Sequence, residues 1–170
     1  MTGWAADEEF AGVTPQLTVV DTAAAVRFYA AVFGADELLR NHAPDGRVMH
    51  CELLVGGGRL LLHDEFPEHG AGRGPIALGG TSVVLHLYVA DVDAVFAAAL
   101  AEGATELMAP QEAFWGDRYA MIEDPFGHRW SVAQRAADPS VAELQERADR
   151  WAEDNAGVSP NGAAATERRD

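Results

Sequence analysis

Three side chains able to ligate or to move protons stand at related places in this chain: Gln16, His63 and His86. Gln16 and His86 sit in runs where polar and apolar residues alternate, so positions two apart share a strand face. Thr14, Gln16 and Thr18 alternate with Pro15, Leu17 and Val19, while His86 and Tyr88 alternate with Leu85, Leu87 and Val89. Imidazole nitrogens and amide oxygens can hydrogen-bond a ligand or hold a divalent cation. A second group is aromatic. Phe114, Trp115 and Tyr119 crowd one short segment together with Arg118. Flat rings offer stacking surfaces to an aromatic ligand. The guanidinium either grips a carboxylate or phosphate with two prongs or pairs with a neighbouring acid. Ser131 lies on a later strand and completes the set of candidate binding residues.

Other polar residues read more simply. His50 and Glu52 share a strand face and are expected to form a solvated outer pair. Glu123 and Asp124 precede Pro125 and belong to a turn, with the aspartate bonding its own backbone. His128 and Arg129 read as turn and surface residues, and Trp130 as core. His42 and His69 fall in loops. Cys51 is the one cysteine, so no disulfide can form within the chain. Gly56-Gly57-Gly58 and Gly79-Gly80 lack the spacing and following helix of a phosphate cradle. No serine stands in a nucleophile elbow.

The elements that must position these residues occur twice. Gln16 and His86, like Gly57 and Gly127, are 70 residues apart; Gly34 and Gly103 are 69 apart. A constant offset across several landmarks indicates duplication. The first copy begins with a strand, Thr14 to Val20, and a helix capped by Asp21 or Thr22. Val26, Tyr29, Ala30 and Phe33 mark the expected buried face of that helix, and Gly34 ends it. Strands near Glu37–Asn41, Val48–Val55 and Arg59–His63 follow. The second copy repeats this with a strand over Ser82–Val89, a helix over Asp91–Ala101, and strands near Glu106–Met108, Arg118–Glu123 and His128–Ala133.

The expected fold is therefore α+β, with two tandem βαβββ modules forming a cup-shaped mixed sheet. Residues 1–12 read as a flexible N-terminus rather than a signal peptide. The main domain spans 13–135: module 1 over about 13–65, a Gly- and Pro-containing linker over 66–80, and module 2 over about 81–135. A C-terminal helix over 136–153 carries Val141, Leu144, Ala148 and Trp151 on one stripe, and a disordered tail occupies 154–170.

The chain has 170 residues, 48% of them apolar, enough for a sizeable core. Its formal charge of −15 disfavours nucleic acid and anionic membranes as partners. No apolar run reaches the length of a membrane helix. A reducing cytoplasm is the expected location.

Four strings carry a family resemblance: Phe28-Tyr29-Ala30-Ala31-Val32-Phe33-Gly34-Ala35, Gly46-Arg47-Val48-Met49-His50-Cys51-Glu52, Phe114-Trp115-Gly116-Asp117-Arg118-Tyr119 and Glu123-Asp124-Pro125-Phe126-Gly127-His128-Arg129-Trp130. Over about residues 13 to 135 the chain resembles the vicinal oxygen chelate superfamily of glyoxalases, bleomycin-resistance proteins and extradiol dioxygenases, and within it the PhnB-like branch. The resemblance implies a ligand cup and a homodimer. It also implies metal positions on the first and last strand of each module, here Thr14, Leu61, Val84 and Ser131. Leucine and valine cannot ligate, so no metal and no cofactor are assigned. The alternative is a divalent metal on the shifted set Gln16, His63 and His86. The expected function is binding of a small aromatic molecule, for sequestration or resistance. A lyase, isomerase or dioxygenase is one alternative and an accessory or regulatory interaction protein another, so whether the chain is an enzyme stays open.

Overall fold

A computed structural model describes residues 13–70 and 72–155. The expected flexible N-terminus and all but the first two residues of the expected tail lie outside the described residues. The first half runs β1 (Gln16–Val19), α1 (Thr22–Phe33), β2 (Asp36–His42), β3 (Val48–Val55) and β4 (Gly58–Asp64). A 3-10 turn (Pro67–His69) and a short helix, α2 (Pro75–Leu78), follow. The second half runs β5 (Val84–Tyr88), α3 (Val92–Ala101), β6 (Thr105–Glu112), β7 (Asp117–Glu123) and β8 (Arg129–Arg135), with α4 (Val141–Asp154) after it. The halves build two four-stranded sheets of the same order, β1-β4-β3-β2 and β5-β8-β7-β6. In each, the first and last strands pair in parallel and the others antiparallel. These are the tandem βαβββ modules expected from the repeat.

The two copies use matching local devices. Asp21 and Asp91 cap α1 and α3 by accepting from the backbone N–H of Ala24 and Ala94, at 2.8 and 3.0 Å. Each satisfies a donor that the first helical turn leaves without a partner. Asp64, at the end of β4, accepts from the N–H of Thr22 at 2.7 Å and of Val48 at 2.6 Å. Its counterpart Gln134 reaches the N–H of Val92 at 3.4 Å. Gly34 closes α1 at φ 66°, a left-handed conformation that costs glycine little.

One hydrophobic core joins the halves. Leu17 and Val19 of β1, Cys51, Leu53 and Val55 of β3, and Leu60 and Leu62 of β4 are buried in it. So are Ala120 and Ile122 of β7 and Trp130 and Val132 of β8. From α1 the buried residues are Ala25, Val26, Phe28, Tyr29 and Val32. Ala30, expected inward, is exposed, and Phe33 is only half-buried. The face is rotated because Phe28 and Tyr29 both turn toward rings of the second half. Tyr29 lies 5.3 Å from Trp130 and Phe28 lies 6.4 Å from Phe126, centroid to centroid.

Three further departures have local causes. The linker holds α2, with Pro75 at its first turn, where a missing N–H costs nothing. β6 extends to Glu112 despite Pro110, because it is an outer strand with shifted register on both sides of Met108. His128, expected at the surface, is buried, and its Nε2 lies 3.1 Å from the carbonyl oxygen of Thr18 in the other half.

The C-terminal helix α4 has a capping box in which Ser140 and Glu143 exchange hydrogen bonds. It buries none of its residues. Its contact with the body is Trp151 against Phe114, at 5.7 Å, and Arg147 near Gly116.

Candidate functional site

The face of each sheet turned away from the helices follows from strand register. In the second sheet Tyr88 pairs with Ala133 and Ala133 with Tyr119; His86 pairs with Ser131 and Ser131 with Met121. These residues alternate with buried Ala120, Ile122, Trp130 and Val132, so they share the other face. Asp117 stands on the same face, two residues before Tyr119.

On that face the aromatic side chains touch. His86 meets Tyr88 edge-on at 4.9 Å and stacks on Tyr119 at 6.3 Å. Trp115 meets Tyr119 at 5.2 Å and Phe114 at 5.0 Å. Two of the rings are oriented by one carboxylate: Oδ2 of Asp117 accepts from the Tyr88 hydroxyl at 3.1 Å and from the Trp115 indole N–H at 3.2 Å. The bond to Asp117 raises the Tyr88 pKa above the ordinary phenol value, so the hydroxyl stays a donor at neutral pH. His86 Nδ1 lies 2.8 Å from the Ser131 hydroxyl. Six of the nine residues read from the sequence, His86, Tyr88, Phe114, Trp115, Tyr119 and Ser131, are brought together here.

The other three are not part of this ring cluster. Arg118 lies on the opposite face of β7 and forks onto Asp93 of α3, with its second nitrogen donating at 2.6 Å. Its proximity to Trp115 in sequence hides the alternation of a strand, which sends it toward the helix and commits its charge. Gln16 and His63 belong to the first sheet. They line a pocket of about 470 Å³ with Met49, Phe66 and His69. Gln16 also lines a larger cleft of about 1170 Å³ between the halves, where it shares the wall with His86, Leu17, Leu87 and Trp130. His50 and Glu52 are on the same side as Leu61, since Glu52 pairs with Leu61 in register. They are half-buried rather than fully solvated. The His50 ring nitrogen lies 3.0 Å from Glu52, and Arg59 holds the other carboxylate oxygen at 2.5 Å.

The residues do not fit the metal that the superfamily uses. Register sets Gln16, not Thr14, opposite Leu61, and His86, not Val84, opposite Ser131. The Leu61 N–H bonded to the Pro15 carbonyl at 2.9 Å fixes the first of these. Leu61 has no donor atom in either alignment. His63 has both ring nitrogens engaged, Nδ1 with the Asp64 carbonyl at 2.7 Å and Nε2 with the Thr18 hydroxyl at 3.1 Å. Its free lone pair is thereby taken by a neighbouring O–H. Among the described residues no three His, Cys, Asp or Glu side chains cluster as a cation site.

Asp117 is a residue of this face that is not among the candidates read from the sequence. The spacing of Asp117 and Tyr119 carries the signal, because residues two apart on a strand share a face. Asp124 does more than its turn pattern implies. It bonds its own turn, as expected, through the N–H of Phe126 and His128 at 2.9 Å. It also accepts from Tyr29 and Trp130, which the turn pattern does not announce.

The family model for the glyoxalase/bleomycin resistance protein/dioxygenase superfamily matches residues 12–132. The chain belongs to that superfamily. It is 43% identical over 135 residues to an uncharacterized protein, Rv0887c, of Mycobacterium tuberculosis, covering 78% of this chain and 79% of that one. Among solved structures, TioX of Micromonospora sp. ML1 is 28% identical, with a TM-score of 0.56 over 76% of this chain and all of that one. A PhnB protein of Bacillus cereus, at 17% identity and a TM-score of 0.56 over 72% of this chain and 98% of that one, shares the fold.

Proposed function

We propose that this superfamily member binds a small aromatic organic molecule and sequesters it, without metal chemistry, on the aromatic face of the second sheet. The observation that carries this reading is the set of Trp115, Tyr119, His86 and Tyr88, whose rings contact one another in series across the second sheet and the turn that enters it. Tyr88 is 56% exposed, so beside its edge contact with His86 it keeps open ring surface. Stacked aromatic contacts add to the area term and fix the plane of a ligand. His86 and Ser131 supply a polar edge that can donate to and accept from the same ligand.

A second copy of the chain is the proposed partner. Leu38 and Leu39 on outer strand β2, Leu107 and Met108 on outer strand β6, and Val83 and Val84 at the start of β5 are exposed apolar residues next to strand edges. Covering them with the matching face of another copy would bury both the edges and the apolar surface. A cytoplasmic location remains part of the proposal. Among the described residues no helix is long and apolar enough to cross a membrane.

Titration with a panel of aromatic antibiotics and metabolites, followed by tryptophan fluorescence, tests the binding reading. A saturable change with micromolar or tighter affinity, lost in Trp115→Ala and Tyr119→Ala, is expected. A panel without one such ligand would contradict it.

A further inference from the structure

Among the described residues, the carboxylate at the centre of the aromatic face has no ion-pair partner. Asp117 is 5% exposed. Its Oδ2 accepts from two neutral donors, the Tyr88 hydroxyl and the Trp115 indole N–H. Its Oδ1 accepts from no described residue. The chain has twelve arginines and no lysine, and among the described residues none of the arginines is ion-paired with Asp117. Arg135 stands directly opposite Asp117 in strand register, yet it pairs with Asp138. Arg147 approaches the adjacent Gly116 without pairing with the aspartate. A largely buried carboxylate given only neutral hydrogen bonds is stabilised by a positive charge beside it.

We propose that Asp117 and the rings around it form a subsite for an organic ammonium group. Trp115, Tyr119 and Tyr88 stand around Asp117, and the faces of such rings attract alkylated ammonium ions. The open oxygen of Asp117 supplies the counter-charge. A guanidinium or metal ion would need further acceptors; an alkylammonium needs only faces and one anion. The net charge of −15 raises the local concentration of cations at any surface of the chain. This inference rests on the aromatic-binding reading and narrows it: the ligand carries an amine or quaternary ammonium next to its ring. The carboxylate is thus more than a clamp on two side chains, because clamping uses one oxygen and leaves the other for the ligand.

The test compares two probes of equal shape on the full chain by calorimetric titration. One is para-hydroxybenzyl-trimethylammonium; the other is para-neopentylphenol, its neutral carbon isostere. The ammonium is expected to bind about tenfold or more tightly than the isostere. Asp117→Asn keeps an oxygen for Tyr88 and Trp115 and removes the charge, so it is expected to erase that preference while leaving the neutral probe's affinity in place. Tyr88→Ala removes an exposed ring and keeps the carboxylate; it is expected to weaken the ammonium about threefold or more. Equal affinities in the wild type would overturn the ammonium subsite and leave aromatic binding standing. A preference that survives Asp117→Asn, or ammonium binding unchanged in Tyr88→Ala, would overturn the assignment to this cluster. Failure of both probes to bind would overturn the subsite and count against the aromatic reading as well.

Discussion

Tyr29 of the first half and Asp124 of the second are joined by a 2.7 Å hydrogen bond in which the phenol donates. Trp130 donates to the same carboxylate oxygen at 3.0 Å. The other oxygen holds the β7–β8 turn through two backbone N–H groups. One buried side chain thus fixes a turn and ties α1 to the opposite module. Tyr29→Phe keeps the ring packing and removes one charged-acceptor bond, so it should cost about 1.5–3 kcal/mol in urea unfolding at neutral pH. Asp124→Ala leaves four donors without an acceptor and should cost more than Tyr29→Phe in the same assay.

The same pair predicts an alkaline limit. Burial, and then the negative charge of Asp124, raise the Tyr29 pKa well above its ordinary value of 10.0. Below pH 10 the folded and unfolded chains both hold the proton, and the contribution to stability is complete. As pH rises past that value the unfolded chain releases its proton first, so stability declines until the folded phenol also ionises. Denaturant midpoints measured from pH 8 upward should fall above about pH 10, and Tyr29→Phe should flatten that fall. An identical slope in the variant would contradict the assignment.

Two neighbouring glycines should respond differently to alanine. Gly56 has φ 56° and an added Cβ would lie 2.4 Å from Leu87 Cδ1, whereas Gly57, at φ 81°, has open space. Both substitutions pay the left-handed backbone cost of about 1 kcal/mol. Gly56→Ala must also move Leu87, so its melting temperature should drop further than that of Gly57→Ala. Equal drops would mean that Leu87 gives way freely.

Arg118 is committed to Asp93, so Arg118→Ala should leave affinity for aromatic ligands within about twofold of wild type. Titrations of the two proteins side by side check this. A larger loss would place the guanidinium in the binding face after all.

Much of the scaffold was legible because its signals are local. Asp21, Asp91 and Gly34 mark helix ends, and the 70-residue spacing of Gln16 and His86 exposes the repeat. Alternation points to His86 and Tyr88, and the crowding of rings in one segment points to Phe114, Trp115 and Tyr119. What stayed hidden depends on contacts between distant segments. Nothing local says that Asp124 serves Tyr29, that His128 reaches Thr18, or that Arg118 reaches back to α3. Gln16 and His63 look equivalent in type to His86, yet register places them on another sheet. The sheet to which a strand belongs follows from pairing, which residue alternation does not encode.

The most direct test of an aromatic ligand site on the second sheet uses the indole N–H signals of the four tryptophans. In a nitrogen-15 labelled sample, an aromatic ligand found by titration should shift the Trp115 signal strongly. The signal of Trp130, buried on the other side of the same sheet, should stay nearly still. A ligand that binds but moves Trp130 and not Trp115 would contradict the account.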